Sequence, residues 1–137
     1  MNGLFSSTTI PVLEQVVNFA QARHEVLAGN IANIDTPGYR TRDLNAQMFQ
    51  SQLRGAIDER DRQGTGDNLN PVIDRERPDP FMHVRDGLKA ILYHDDSNVG
   101  IEQQAIEVSK NQLQHNLAMS ILTQQFQLLG VAISERA

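Results

Sequence analysis

Cysteine and tryptophan are absent from this chain, tyrosine occurs twice and phenylalanine five times. Without cysteine there is neither a disulfide nor a thiolate metal site, and the redox compartment stays open. Aromatics at 5% leave little bulky material for the interior of a sandwich or barrel, and a helical assembly needs less of it. Apolar residues make up 39% of the 137, below the usual range. No run approaches the ~18 consecutive apolar residues of a membrane span, so no direct span is expected. The first residues, Met1-Asn2-Gly3-Leu4-Phe5-Ser6-Ser7, lack a basic region followed by a long apolar one, and a cleaved secretory signal is not expected. A basic stripe is missing too. The formal net charge is -5 and the arginines have acids beside them, as in Arg60-Asp61-Arg62 and Arg75-Glu76-Arg77. Neutralised phosphates drive nucleic-acid affinity, so a nucleic-acid partner is not expected.

What the chain does have falls into three segments. From about Thr9 to Asn33, Leu13, Val16, Val17, Ala20, His24, Leu27, Ala28 and Ile31 follow helical spacing. Val12, Phe19 and Val26, seven apart, form a second line, and only Glu14, Arg23 and Glu25 are charged. Ser6, Ser7, Thr8 and Thr9 offer N-cap oxygens and Pro11 suits a first turn. Thr36-Pro37-Gly38 predicts a sharp stop, since proline disfavours helix before it and glycine allows positive φ. Gly29 inside the helix costs about 1 kcal/mol against alanine, which suggests a close backbone approach. His24 on the apolar face reads as packed, with one ring nitrogen hydrogen-bonded.

Residues 40–97 carry most of the charge and four of the five prolines lie around or within them. Pro71-Val72-Ile73 and Leu88-Lys89-Ala90-Ile91-Leu92-Tyr93 have the composition of short strands. No long periodic pattern spans the segment, which reads as a charged, mobile, largely irregular insertion with at most a small β-hairpin. From Ile101 to about Ser134 no proline interrupts a helix of about 50 Å. Gly100 is an acceptable N-cap and Gln103 stands at the return position of a capping box.

That last helix is apolar on two sides. At 100° per residue, Ile101, Ala105, Val108, Met119, Leu122, Phe126, Leu129 and Ile133 gather on one; Ile106, Leu113, Leu117, Ile121, Leu128 and Val131 gather nearly opposite. A helix apolar on two sides must be covered on both. The first helix is the obvious cover for one side, giving an all-α fold: two long terminal helices packed as an antiparallel, coiled-coil-like hairpin around the middle insertion. The other side marks an interaction surface. Head-to-tail repetition of such a contact gives an open filament, while a closed four-helix dimer or an adaptor holding a partner helix in its groove fits the periodicity equally.

No catalytic constellation stands out. His94-Asp95-Asp96 reads as a solvated turn, because adjacent residues on an extended chain point apart and no second cluster completes a metal site. Gly64-Thr65-Gly66-Asp67 lacks the Lys-Ser/Thr ending of a phosphate loop and reads as a flexible loop. Asp58 and Glu59 belong to a mixed-charge run facing water. Neither enzyme activity nor a cofactor is expected.

The end of the first helix reads Leu27-Ala28-Gly29-Asn30-Ile31-Ala32-Asn33-Ile34-Asp35-Thr36-Pro37-Gly38-Tyr39-Arg40, followed by Arg42-Asp43-Leu44. It resembles the signature L-x-x-N-I-A-N-x-x-T-P-G-Y of the flagellar rod and hook axial proteins. The short chain and the Arg42-Asp43-Leu44 are most similar to the proximal rod proteins of that group. Asn98-Val99-Gly100-Ile101-Glu102 is similar to the opening of the rod proteins' C-terminal helix, with Gly100 where that family has aspartate. At an N-cap this exchange costs a few tenths of a kcal/mol.

The resemblance implies a non-enzymatic structural subunit of the basal-body rod, exported through the flagellar type III apparatus and located in the periplasm-spanning rod. Its implied partners are copies of itself, other rod proteins, and the ring and adaptor proteins of the basal body. It divides the chain into an axial core of residues 1–39 and 98–137 with a variable insertion, 40–97. The candidate subunit interface is Leu27, Asn30, Ile31, Asn33, Thr36, Pro37, Gly38 and Tyr39 from the motif, with Leu113, Leu117, Ile121, Leu122, Phe126 and Leu129 from the last helix. Asn30 and Asn33 would fix register by hydrogen bonding, as a polar residue does in a coiled coil.

Overall fold

The computed structural model describes residues 9–65, 79–95 and 100–136. Among the described residues, four helices and one strand pair follow in the order α1 (Ile10–Ala32), β1 (Arg42–Leu44), α2 (Ala46–Thr65), α3 (Pro80–Asp86), a 3-10 turn (Gly87–Lys89), β2 (Leu92–His94) and α4 (Ile101–Glu135). The two long terminal helices expected from periodicity are present, antiparallel and packed together. Asn30 near the end of α1 meets Gln104 near the start of α4, and Ala20 meets Asn111.

The helix ends follow the sequence in part. Thr9 is the N-cap of α1, but its backbone is already helical and its hydroxyl makes no cap bond; Ser6, Ser7 and Thr8 lie outside the described residues. Gly100 caps α4 as expected, without a side-chain bond. Gln103 does not close a capping box. Its amide donates forward to Glu107 instead.

The middle segment is more ordered by helix than its composition suggested. Residues 46–65 form α2. Asn45 starts it, its Oδ1 accepting from the Met48 N–H at 3.1 Å, and Phe49, Leu53, Ala56 and Ile57 turn one stripe to the core. Four apolar residues spaced i, i+4, i+7 and i+8 suffice when a ready-made apolar face is offered. Asp79 caps α3 by accepting from the Phe81 N–H at 3.0 Å, with Pro80 in the first turn. The strand pair is not a hairpin. β1 and β2 come from the two ends of the middle segment and pair antiparallel, Asp43 opposite Tyr93. Thr41 and Asp95 extend the pairing by a backbone bond of 2.8 Å. This closes the segment at its neck and sets both of its ends beside the terminal helices. Pro71-Val72-Ile73 and Gly66-Asp67 lie outside the described residues.

Helix α1 is the middle layer. The line Val12, Phe19 and Val26 faces the core made with Leu44, Phe49, Ala56, Phe81, Val84 and Ile91. The rings of Phe19 and Phe49 stack with centroids 4.2 Å apart and planes 14° from parallel, slightly closer than the usual range of about 4.5–7 Å for aromatic pairs. On an adjacent face Ala20 and Leu27 are buried, and α4 packs there. His24 falls outside both faces and is exposed, contrary to the packed histidine expected: the second apolar line, not the one carrying His24, became the core face.

Replacing Phe49 with alanine removes the stacked ring and opens a cavity, and is expected to destabilise the chain by about 3–5 kcal/mol. Urea unfolding followed by circular dichroism checks this; a loss below about 1 kcal/mol would mean that α2 does not hold the core.

Candidate functional site

The turn after α1 is organised by one side chain. Asn30 is 1% exposed and uses all of its hydrogen-bonding capacity. Its Nδ2 donates to the Arg42 carbonyl at 2.6 Å and to Gln104 Oε1 at 3.2 Å. Its Oδ1 accepts from the Arg42 N–H at 3.0 Å and from the Tyr39 hydroxyl at 3.1 Å. Toward Arg42 the amide side chain behaves like one residue of a neighbouring strand, exchanging a donor and an acceptor with the backbone. One asparagine thereby joins α1, the returning chain and α4.

Its neighbours in the motif make that return possible. Asn33 closes the helix, its N–H and its Nδ2 both donating to the Gly29 carbonyl at 3.1 and 2.9 Å. The Thr36 N–H then donates to the Asn33 carbonyl, and the Tyr39 N–H to the Thr36 carbonyl at 3.2 Å. Pro37 and Gly38 are the two central residues of this last turn, and Gly38 has φ +76°. That is the type II pattern, proline then glycine, in which only glycine takes the third position without strain. Gly29 has a plainer setting than expected. A Cβ there would meet only the Tyr39 hydroxyl at 3.9 Å, an ordinary contact, so no close backbone approach requires the glycine.

A second fixture escaped sequence reasoning. Arg23 donates from Nε and Nη2 to the two carboxylate oxygens of Asp43 at 2.9 and 3.0 Å, and from Nη2 to Glu107 at 3.0 Å. The side chains are largely shielded, and the hydrogen bonds to Asp43 raise the arginine pKa above its ordinary value despite the cost of burial. Such a two-pronged pair is stronger and more directional than a surface ion pair. It ties α1, β1 and α4. The available signal was Arg23 itself, the one arginine of a sparsely charged helix, and the aspartate of Arg42-Asp43-Leu44.

The expected interface residues divide between two settings. Leu27 and Asn30 are buried inside the chain, while Ile31, Asn33 and Tyr39 are half-buried. Thr36, Pro37 and Gly38 lie exposed at the tip of the turn. On α4, Leu122 and Leu129 are half-buried, Ile121 is exposed, and Phe126, Leu117 and Leu113 are exposed at 49%, 60% and 72%. The face of α4 turned to α1 is built from Gln104, Asn111 and Ala118, seven apart and all buried, with Glu107, Val108, His115 and Leu122 half-buried beside them. The intramolecular seam is therefore largely polar, and the apolar side carrying Leu113, Leu117, Leu128 and Val131 faces outward.

Averaged over 18 residues, α4 is long and apolar enough to cross a membrane by length and composition. No uninterrupted apolar run of that length exists, because polar residues such as Gln124, Gln125 and Gln127 break it.

Among the described residues no group of histidine, aspartate and glutamate could hold a metal ion. A cleft of about 270 Å³ lies between α1, β1 and α4, with Leu27 and Gln104 in its wall, and its carboxylates Asp43 and Glu107 are engaged by Arg23. His94 lies in β2 and the Asp95 backbone pairs with Thr41, so these neighbours serve the strand pair; Asp96 is outside the described residues.

The two asparagines of the motif should differ when removed. Asn30→Ala strands the Arg42 amide, the Tyr39 hydroxyl and Gln104 and should cost about 2–3 kcal/mol, whereas Asn33→Ala loses two solvent-accessible bonds, one to the Gly29 carbonyl and one from the Thr36 hydroxyl, and should cost about 1 kcal/mol or less. Gly29→Ala should be neutral or stabilising by up to about 1 kcal/mol. Equal urea midpoints for Asn30→Ala and Asn33→Ala would contradict this.

The sequence model of the family described as flagella basal body rod protein matches residues 17–40, the stretch that holds both the Arg23 fixture and the Asn30 turn. Curated relatives extend the likeness along most of the chain. The flagellar basal body rod protein FlgB of Salmonella typhimurium is 28% identical over 119 residues, 82% of this chain and 83% of its own. That of Aquifex aeolicus is 27% identical over 128 residues, 93% of this chain and 94% of its own. That of Yersinia enterocolitica is 27% identical over 116 residues, 80% and 81% of the two chains. No solved structure gives a match. With the turn motif in place and the likeness running through both terminal helices, the chain is a relative of the FlgB-type flagellar basal body rod proteins, which are structural proteins and not enzymes.

Proposed function

We propose that this chain is a structural subunit of the bacterial flagellar basal body rod and polymerises through its terminal helices into the proximal part of the axial tube. The observation that carries the reading is the outward side of α4, where Leu113, Leu117, Leu128 and Val131 are each more than half exposed. A continuous apolar strip of this kind marks a surface made for another protein. The middle segment covers a different face of α1, so nothing in residues 40–65 or 79–95 is spent on covering the strip.

In this reading residues 1–39 and 98–137 supply the packed layer of the rod, with α4 toward its interior, and residues 40–97 ride outside. Neighbouring copies and other rod proteins cover the Leu113–Val131 strip, which Ile121 extends, and Phe126 adds an exposed apolar contact on the other side of α4. The exposed Thr36-Pro37-Gly38 tip gives a second contact, while Leu27, Asn30 and Asn33 serve assembly indirectly by fixing the turn. Ring and adaptor proteins of the basal body and the type III export apparatus are the remaining partners, and the periplasm-spanning rod is the location. In this reading each contact joins different patches with a rotation that does not close, so repetition extends a helix.

Leu113→Asp and Leu117→Asp test the reading. Both positions are exposed, so the isolated chain should keep its helical circular dichroism and its stability within about 0.5 kcal/mol. Incorporation into rods and swimming should be lost. A variant that folds and still assembles normally would overturn the proposal. So would sedimentation showing a fixed dimer at every concentration, the behaviour of a closed helical adaptor.

A further inference from the structure

The strand pair has one edge taken and one edge open. Backbone bonds at the two ends of the ladder, from the Asn45 N–H to the Ile91 carbonyl at 2.9 Å and from the Asp95 N–H to the Thr41 carbonyl at 2.8 Å, settle which residues bond across it. With Asp43 opposite Tyr93 between them, antiparallel alternation makes Asp43 and Tyr93 the next bonded pair. Arg42 therefore turns its N–H and C=O away from β2, where the Asn30 side chain takes both. Leu92 and His94 turn theirs away from β1, and among the described residues no backbone group pairs with them.

The devices that usually blunt such an edge are missing from it. Every residue of β2 is exposed, and Leu92-Tyr93-His94 contains neither proline nor lysine. Leu92 is 37% and Tyr93 44% exposed. Large side chains beside unpaired backbone groups suit the addition of a further strand.

Charge decides which strand fits. Tyr93 shares a face of the ribbon with Asp43. Burial, and then the carboxylates of Asp43 and Asp95, hold its phenol above the ordinary tyrosine range; Arg23 opposes them and Glu107 adds to them. Three carboxylates thus outweigh one guanidinium around this ring. A second copy of β2 would pair Tyr93 with Tyr93 and bring two such acidic surroundings together. Like charges across a ladder destabilise it, and opposite charges support it. A long basic side chain opposite Tyr93 can reach over the ring toward the cleft that Asp43, Asp95 and Glu107 line.

We propose that the open edge of β2 docks an extended segment of a partner protein, added antiparallel as a third strand with a lysine or arginine opposite Tyr93. The N–H and C=O groups of Leu92 and His94 hold its backbone, and the basic residue selects it. So short an edge makes a weak contact, which discriminates by charge. The site belongs to the middle segment, is separate from the Leu113–Val131 strip, and does not depend on the rod reading.

Titration of the isotope-labelled full chain with the blocked peptide Thr-Val-Lys-Val-Thr, followed by NMR, tests this. The Leu92 and His94 amides should shift and saturate, and exchanging the peptide's lysine for glutamate should weaken binding by about fivefold or more. N-methylation of the two valines, whose amides face β2, should abolish binding. N-methylation of the lysine, whose amide faces away, should leave it unchanged. His94→Pro removes an outward donor and no bond between β1 and β2, and should lose the peptide while keeping the strand pair. Absence of saturable shifts at Leu92 and His94 would overturn the proposal, as would equal binding of the lysine and glutamate peptides. Amides of Leu92 and His94 already protected from exchange in the free monomer would overturn it too, because the chain's own backbone would then hold the edge. Self-association that His94→Pro abolishes would give the edge to a second copy and equally overturn it. If His94→Pro does not fold, the peptide series decides alone.

Discussion

The side chain of Asn30 sets the geometry on which the rest of the structure depends. A long helix that must double back presents a difficulty: the returning backbone passes close by, with its own N–H and C=O groups to satisfy. Asn30 answers it with one amide, pairing both backbone groups of Arg42 while holding Tyr39 and Gln104. Buried polar networks of this kind specify one arrangement when every member is satisfied. Here every lone pair and N–H of the side chain is in use, so the path of residues 39–42 is determined. Strand β1 begins at Arg42, and so its pairing with β2 is determined as well.

From that point the layering follows. Once β1 is fixed, β2 lies beside it, and the segment between them is a closed excursion whose apolar residues have one available face to cover, the Val12–Phe19–Val26 line of α1. Asp43 in β1 then sits against Arg23, which also reaches Glu107 of α4. Three elements meet on one guanidinium. The turn and the ion pair lie at the same end of the molecule, and this end of α4 is therefore the one held by specific polar contacts.

The seam between the terminal helices inverts the usual division of labour. Gln104 and Asn111 hold two of the three fully buried heptad positions facing α1, and Leu113, Leu117, Leu128 and Val131 face away from it. Polar residues at such positions fix register at a cost in stability, while apolar residues left outside give adhesion to whatever covers them. A chain built this way is aligned by its own polar contacts and leaves an apolar side for whatever covers it. The structural role of its FlgB-type relatives accords with that arrangement.

Periodicity by itself determined the two terminal helices and nearly all of their bounds, because long uninterrupted helical spacing has few other solutions. Thr36-Pro37-Gly38 likewise determined the turn, since the proline–glycine order suits one turn type. Only the tertiary structure decided which apolar line of α1 became the core face, because both lines are equally apolar and the choice rests on what α2 and α3 bring against them. It also decided that residues 46–65 are helical: Phe49, Leu53, Ala56 and Ile57 are too few to announce a helix amid so much charge, and they become decisive only against Phe19. Last, it decided which side of α4 faces inward. Hydrophobicity favours either apolar side, whereas the inward face is chosen by hydrogen bonds from Asn30 and to Ala20, and such long-range pairings leave no periodic trace in the chain.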